Sequence, residues 1–263
     1  MAQIRVAIAG IRGRMGQETK RAVAAAGDLE LVAGLDRPRA GSPAQEAGAP
    51  VYADAGRCFF ETRPDVLVDF SVREAAEATV SAAIAAGVRP VIGTTGFSSA
   101  ALRDFDDALK RAGIGGLYAP NFAVGALLLM RAARMIAGYL EHAEIVEYHH
   151  DGKKDAPSGT ARRTAELIAA ERPETGRAAA DERADAGGPD ARYHTVAGIP
   201  VHSVRLPGLL AHQEVIFGGD GEILTLRHDS LSRAGFMPGV LLGIRRVAAA
   251  GPGLVEGLEH FLF

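Results

Sequence analysis

The sequence predicts an α/β protein in which a doubly wound parallel sheet precedes a smaller α+β domain with a mostly antiparallel open sheet. Three observations support this class. Short apolar runs alternate with helical patterns up to Asn121. A glycine-rich turn follows the first apolar run. Beyond residue 200, apolar runs follow one another with no helix between them, which favours antiparallel pairing.

The first domain is predicted from apolar runs of strand length separated by stretches of helical period. Strands are predicted at residues 4–9, 29–35, 66–70, 90–93 and 114–119, and helices at 15–26, 74–86 and 99–112. Strands that alternate with helices in this way form parallel sheets with right-handed crossovers.

The second domain begins where this alternation stops. A helix is predicted at residues 124–139, then a strand at 143–149 and a helix ending near residue 170. Residues 171–197 lack periodicity and are interpreted as a mobile loop or insertion. Strands are predicted at 201–206, 212–217 and 223–227, the last two joined by a hairpin turn at 218–221. A closing helix at 238–250 suggests domains of 1–122 and 123–235, with 236–263 returning to the first.

Composition excludes several classes of function. The 263 residues are 48% hydrophobic, the net charge is −3 and the pI is about 6.3, so no basic field favours nucleic acid or anionic membrane. No apolar run reaches the roughly 18 residues of a spanning helix, and no signal peptide is recognised. A cytoplasmic protein is expected. The single cysteine, Cys58, excludes a disulfide framework and is interpreted as a small core hydrophobe.

The turn after the first strand has the character of a dinucleotide site. Gly10, Gly13 and Gly16 lie between a strand and a helix, where they allow a tight turn, close approach of a pyrophosphate and close helix packing. Asp36 closes the second strand, where a carboxylate that binds ribose is expected. The predicted domain is therefore Rossmann-like. The predicted contacts in this turn are Gly10, Ile11, Arg12, Gly13, Arg14 and Met15.

The sequence leaves the choice between NADH and NADPH open. Asp36 favours a ribose hydroxyl, whereas Arg12, Arg14 and Arg37 can hold a 2'-phosphate, so both cofactors are expected to be accepted. Two more loops follow strand carboxyl ends, the edge where ligands bind in such sheets. They are expected to border the nicotinamide, through Gly93, Thr94, Thr95, Ala119, Pro120, Asn121 and Phe122.

Residues 147–161, EYHHDGKKDAPSGTA, carry most of the chemical information. The chain has only four lysines beside 25 arginines, and two of the four, Lys153 and Lys154, lie here. Lysine is required where an amine must give up a proton, because arginine stays protonated. With His149 and His150 nearby, the segment predicts a proton-transfer site. A solvated basic turn is the simpler alternative.

These motifs together resemble the 4-hydroxy-tetrahydrodipicolinate reductase (dihydrodipicolinate reductase) family over nearly the whole chain. The resemblance implies NAD(P)H-dependent reduction of 4-hydroxy-tetrahydrodipicolinate in lysine and diaminopimelate synthesis, in a homotetramer assembled through the substrate domain. By position in the motif, His149 and Lys153 match the catalytic proton donors. His150, Gly159 and Thr160 match substrate-binding positions. Which of the two adjacent amines faces the substrate stays open, although the register favours Lys153 over Lys154.

Three alternatives remain at this point. The first is a reductase of another small imine or keto acid, since a fold does not fix a substrate. The second is a catalytically silent cofactor-binding protein, which would not need the His/Lys segment. The third is a hydrolase using Ser158, but that serine is better interpreted as a helix N-cap. His202, His212 and His228 lack a common ligand spacing, so no metal is expected.

Overall fold

The computed structural model describes residues 3–37, 45–46, 48–172 and 193–263 of the chain. It divides into two compact units, one made of Met1–Phe122 with Phe236–Phe263 and the other of Ala123–Gly235.

The first unit is built on one twisted sheet. Its strands are β1 (Ile4–Ala9), β2 (Leu29–Leu35), β3 (Gln45–Glu46), β4 (Ala49–Tyr52), β5 (Val66–Asp69), β6 (Arg89–Ile92), β7 (Gly115–Tyr118) and β13 (Gly253–Glu256). They lie in the order β13-β7-β6-β5-β1-β2-β4-β3, and only the short β3 pairs antiparallel with its neighbour. Beside β1 the order of the strands reverses, and ligands bind at such a switch point.

Helices cover both faces of this sheet. They are α1 (Arg14–Ala25), α2 (Ala55–Thr62), α3 (Arg73–Ala85), α4 (Ser99–Ala112), α7 (Met237–Val247) and the terminal α8 (Glu259–Leu262). Helix α1 packs on α7, whereas α2, α3 and α4 pack in series. Strands β1 and β5 lie at the centre and are largely buried, which explains why most of their residues are apolar.

In the described part of the second unit, a mixed sheet packs with two helices. Its strands are β8 (His142–His149), β9 (Tyr193–Val196), β10 (Ile199–Arg205), β11 (Ala211–Gly219) and β12 (Glu222–Ser230), in the order β12-β11-β8-β10-β9. Only β8 and β10 pair parallel. Helices α5 (Val124–Ile136) and α6 (Gly159–Glu171) share one core with the sheet, in which Ile145, Phe217 and Ile168 are fully buried.

The predicted fold class is confirmed, and most predicted elements lie within a few residues of the observed ones. Strands β1 and β2 and helix α4 have the predicted bounds. Helix α5 is shorter than predicted and ends at Ile136, since the exposed Tyr139 adds nothing to the core. Elements β3, β4, α2 and β13 were not predicted.

The prediction of an unstructured loop over residues 171–197 is wrong at its C-terminal end. Residues Tyr193–Val196 form β9, which pairs antiparallel with Ile199–Arg205 of β10. A four-residue edge strand of this kind is defined by its partner rather than by its own pattern. The remainder of that prediction, residues 173–192, lies outside the described residues.

Candidate active site

The glycine turn after β1 is held tightly against its surroundings. Gly10 has φ +71°, and a Cβ there would lie 2.6 Å from the carbonyl oxygen of Phe70. A Cβ on Gly16 would lie 2.1 Å from the carbonyl oxygen of Gly10. The amide of Gly13 donates to that same oxygen at 2.8 Å. The turn therefore brings its backbone and the N-terminus of α1 into a geometry that suits a phosphate group.

Asp36 lies beside this turn and is fixed by backbone donors. Its two carboxylate oxygens accept from the amides of Arg12 (2.9 Å) and Arg37 (2.8 Å). The guanidinium of Arg12 also donates to the carbonyl oxygen of Arg37 at 3.3 Å. The carboxylate and both arginines thus meet at the ends of β1 and β2, as the sequence predicts for a site that contacts an adenosine ribose.

A cavity of about 320 Å³ opens at this edge of the sheet. Gly10, Gly13, Asp36, Arg37 and Phe70 are among the residues that line it. The cavity, the glycine turn and the carboxylate of Asp36 lie together where the sequence predicts a dinucleotide site. Ile11 differs from its neighbours because its side chain is fully buried, so only its backbone can contact a ligand.

A buried carboxylate that the sequence analysis missed connects the next two loops. Asp69 is fully buried at the end of β5. One of its carboxylate oxygens accepts from the hydroxyl groups of Thr94 (2.6 Å) and Ser71 (2.9 Å). Its carbonyl oxygen accepts from the amides of Gly93 and Thr94. Burial raises the pKa of Asp69, and the hydrogen bonds only partly offset this effect. An acidic residue closing an apolar strand was the available signal.

The loop that follows β7 meets the same region of the first unit. The ring of Phe122 packs edge-on against Phe70, with centroids 5.5 Å apart, and the amide of Ala119 donates to Ile92 at 2.9 Å. Thr94, Ala119 and Phe122 are buried, whereas Thr95 and Pro120 are exposed. The predicted nicotinamide loops are therefore neighbours.

In the second unit, β8 ends at His149, and the side chain of His149 is held by a buried carboxylate. Glu147 lies two residues earlier on the same strand, is fully buried, and forms a short contact with Nδ1 of His149. Although burial by itself raises the pKa of Glu147, hydrogen bonds from His149 and Arg205 lower it to about 2. Glu147 is therefore an anion in the folded protein at neutral pH.

Arg205 provides the second partner of this carboxylate from the end of β10. Its Nη2 donates to Oε1 of Glu147 at 2.7 Å and to the carbonyl oxygen of Asp155 at 2.8 Å. The amide of Leu206, the next residue, donates to the carbonyl oxygen of His149 at 3.1 Å. Sequence reasoning assigned Arg205 no role, because its partners are far away along the chain.

The loop after His149 positions Lys153 through two contacts. The amide of Lys153 donates to the carbonyl oxygen of His150 at 3.1 Å, and its Nζ contacts both carboxylate oxygens of Asp155 at 2.7 and 2.8 Å. Burial raises the pKa of Asp155, but the ammonium group of Lys153 lowers it below its usual value. The Lys153 side chain is 21% exposed, whereas Lys154 is an exposed residue on the surface.

Helix α6 starts directly after this loop. Ser158 is its N-cap, as predicted, and accepts from the amide of Ala161 at 3.2 Å. The amide of Ser158 donates to Oε1 of Glu147 at 3.3 Å, so the buried carboxylate contacts the helix start as well. Gly159 is exposed and Thr160 is half-buried at the first turn. The amides and the positive end of the dipole at a helix start favour a carboxylate ligand.

Two other histidines of the sheet contact carboxylates at its surface. His202 contacts Glu144 at 2.8 Å, and His212 contacts Asp229 at 2.7 Å. Over the described part of the chain, no group of three or more His, Cys, Asp or Glu side chains is arranged to hold a metal ion. None of the helices in the described ranges is both long enough and apolar enough to cross a membrane.

Comparison with known proteins identifies relatives over nearly the whole chain. The sequence model of the dihydrodipicolinate reductase N-terminus matches residues 4–122, and that of the C-terminus matches residues 125–262. The chain is 49% identical to the 4-hydroxy-tetrahydrodipicolinate reductase of Geobacillus kaustophilus (strain HTA426), over 98% of this chain and 99% of that protein. It is 46% identical to the enzyme of the same name from Bacillus subtilis (strain 168), over 98% of both.

A solved structure gives the same result. The dipicolinate-bound dihydrodipicolinate reductase from Paenisporosarcina sp. TG-14 superposes with a TM-score of 0.85 at 40% identity. The match covers 98% of this chain and 99% of that one.

Proposed function

The chain belongs to the dihydrodipicolinate reductase family, and from this premise we propose how its residues carry out the family's reaction. It is an oxidoreductase that reduces 4-hydroxy-tetrahydrodipicolinate to tetrahydrodipicolinate in lysine biosynthesis, with a nicotinamide cofactor. The reaction consumes one hydride and one proton and releases one water. The cofactor supplies the hydride, and the protein must bind the dicarboxylate and deliver the proton.

The first unit holds the cofactor in this proposal. The amides of the turn from Gly10 to Met15 bind the pyrophosphate, and Asp36 with Arg37 contacts the adenosine ribose. The loops at 93–95 and 119–122 border the nicotinamide. Both NADH and NADPH are accepted, because Asp36 can receive a ribose hydroxyl while Arg12 and Arg37 can hold a 2'-phosphate.

The second unit holds the substrate. The amides at the start of α6 and the hydroxyl of Thr160 bind one ring carboxylate, with Gly159 allowing close approach. His150 and Lys153 bind the other carboxylate and the ring nitrogen. As the hydride arrives, electron density moves toward that nitrogen, and His149 supplies the proton with Lys153 beside it.

This assignment rests on one observation: His149, Lys153 and the start of α6 lie on one short segment of the chain. His149 ends a strand, Lys153 follows in the loop held by Asp155, and the cap of α6 comes five residues later. Proton donors and a carboxylate-binding helix start are thus presented by one short segment, as a ring dicarboxylate requires.

The test is a spectrophotometric assay of NADH and NADPH oxidation, with substrate generated in situ from pyruvate and aspartate semialdehyde by a synthase. We expect His149→Ala and Lys153→Ala each to lower kcat by roughly 10²-fold or more. Lys154→Ala is the matched control, and it should stay within a few-fold of wild type. Near-wild-type turnover in both alanine variants would refute the assignment.

Assembly and location belong to the same proposal. We propose a homotetramer formed through the second unit, in which β12 presents the exposed apolar side chains of Ile223 and Leu224. We place the enzyme in the cytoplasm, as its biosynthetic role suggests. Light scattering after size exclusion would give four times the chain mass of 27.4 kDa. A monomeric mass would contradict the proposal.

A further inference from the structure

Glu147 has no assigned part in the chemistry, although it occupies the centre of the His/Lys site. It precedes His149 by two residues on β8, and side chains two apart on a strand lie on the same face. It is also fully buried. Three donors contact its carboxylate: His149, Arg205 and the amide of Ser158. These contacts offset the free-energy cost of burying the charge.

The contact with His149 determines which ring nitrogen faces outward. An ionised carboxylate can only accept a hydrogen bond. Nδ1 of His149 must therefore carry the hydrogen that it donates to Glu147. The lone pair or the second proton of the ring then resides on Nε2. A neutral histidine without such a partner exchanges between two tautomers. Only the tautomer with its proton on Nδ1 leaves Nε2 able to take up a proton.

We infer that Glu147 is a positioning residue for the reduction, holding His149 in the Nδ1–H form so that Nε2 is the nitrogen that exchanges the proton. This inference rests on the proposed role of His149. The step balances in a simple way: the Nε2 proton goes to the substrate as the hydride arrives, His149 becomes neutral, and water restores the proton. Glu147 keeps its charge throughout and stabilises the imidazolium between turnovers.

The position of Glu147 is itself fixed from two directions. Arg205 holds one carboxylate oxygen at 2.7 Å from the end of β10, and Ser158 holds the same oxygen from the start of α6. The other oxygen is left for His149. The side chain of Glu147 therefore fixes the position of His149 relative to the start of α6. Rotation of the imidazole would break its contact with Glu147.

The charged and titratable groups around His149 come from three elements. Glu147 lies on β8 itself and Arg205 at the end of β10, and the loop after β8 contributes the Lys153–Asp155 pair and His150. Strand β11 places Ala211 opposite His149, which adds no charge. Removing the charge of Glu147 thus removes the anion that contacts the ring.

The variant to test is Glu147→Gln, which keeps the size and one acceptor but removes the charge. We expect kcat to fall roughly 10- to 100-fold with KM changed less than about threefold, since the contact with the amide of Ser158 can persist. The alkaline limb of the kcat/KM profile should move to lower pH, because the imidazolium loses its anionic partner.

Glu144→Gln is the matched control for this variant. Glu144 lies on the same strand and also pairs with a histidine on β10, His202, but its side chain is 58% exposed. We expect kcat, KM and the pH profile of this variant to match wild type. A comparable loss in both variants would indicate a general effect on the strand and would overturn the inference.

A double-mutant cycle separates this inference from the proposed function. If Glu147 acts through His149, Glu147→Gln should change kcat less than threefold in a His149→Ala background. Additive losses would overturn the inference while leaving the role of His149 intact. A His149→Ala variant with full activity would instead overturn the proposed function.

A measurement on the wild-type enzyme does not depend on any variant retaining its fold. Nitrogen-15 NMR of the ring nitrogens, with the His149 signals identified by their loss in His149→Ala, reports the tautomer directly. We expect neutral His149 to carry its proton on Nδ1. A proton on Nε2, or rapid exchange between the two forms, would overturn the inference.

Discussion

Replacement of Gly16 by alanine tests whether the turn after β1 is as closely packed as the structure indicates. A Cβ at this position would lie 2.1 Å from the carbonyl oxygen of Gly10 and 2.7 Å from Cα of Ile11. Both are backbone atoms, so no side-chain rotation can relieve the overlap. Ordinary contact begins near 3.4 Å, so the start of α1 must move away from the turn by about 1.3 Å.

The expected cost follows from two opposing effects. Alanine favours the helix over glycine by about 1 kcal/mol. Overpacking costs about 1–3 kcal/mol, and the upper end applies where backbone must move. We therefore expect a net loss of about 1–2 kcal/mol in the free energy of unfolding. If the amides of this turn bind the cofactor pyrophosphate, as proposed, their displacement should weaken cofactor binding at least tenfold, which is about 1.4 kcal/mol.

Gly27→Ala, just beyond the other end of α1, is the matched control. A Cβ there meets nothing within 4 Å. Its unfolding free energy should be unchanged or slightly higher, by up to about 1 kcal/mol. Urea unfolding gives the stability of both variants, and NADH fluorescence titration gives the Kd independently of turnover. If Gly16→Ala binds NADH as tightly as Gly27→Ala and unfolds at the same urea concentration, the packing argument is refuted.

Three further predictions concern buried polar groups. Burial raises the pKa of Cys58 to about 11, so a disulfide reagent at pH 8 should modify the thiol only after urea unfolding; rapid modification of the folded enzyme would contradict this. Burial raises the pKa of Glu147, but its hydrogen bonds lower it to about 2 from 4.5. Glu147 therefore stabilises the fold above pH 4.5, and up to about 3 kcal/mol is lost as the pH falls toward 2. In urea unfolding, the Glu147→Gln variant should lose less free energy of unfolding than wild type between pH 6 and pH 3. Equal losses in the two proteins would refute this prediction. Thr94→Val removes a donor to the buried carboxylate of Asp69 and should cost about 1–3 kcal/mol of unfolding free energy, whereas the exposed Thr95→Val should change it by less than about 0.5. Equal effects of the two valine substitutions would refute that reasoning.

The elements that were predicted well are those whose patterns are long and local. Helix α4 runs from Ser99 to Ala112 with a capping serine before it and Gly113 after it, so both ends are marked in the sequence. Strand β1 is apolar at every position except Arg5, and Gly10 follows its last residue. In such segments the local preference agrees with the tertiary environment.

The elements that were missed depend on distant partners. Residues 253–256, Gly-Leu-Val-Glu, become a strand because they pair with β7, some 138 positions earlier in the chain. Strand β9 is likewise defined by its pairing with β10. Neither segment contains a continuous apolar run like residues 66–68 of β5, so neither indicates a strand without its partner.

The candidate site divides in the same way. The residues of the His/Lys segment were visible because they are contiguous and belong to a specific motif. The contact of Arg205 with Glu147 spans 58 positions, and that of Thr94 with Asp69 spans 25, so neither was visible in a local pattern. The sequence therefore predicts which groups do the chemistry, whereas the side chains that contact them are visible only in the structure.

The late position of β13 in the chain has a consequence for synthesis on the ribosome. Strand β7 ends at Tyr118, but its neighbour β13 begins only at Gly253, after all of the second unit has been made. At about 5–20 residues per second, translation leaves the outer edge of β7 without a partner for on the order of 10 s. An open strand edge invites pairing with other chains. The nascent enzyme is thus most prone to misassociation during that interval, and binding of a holdase chaperone should be concentrated there.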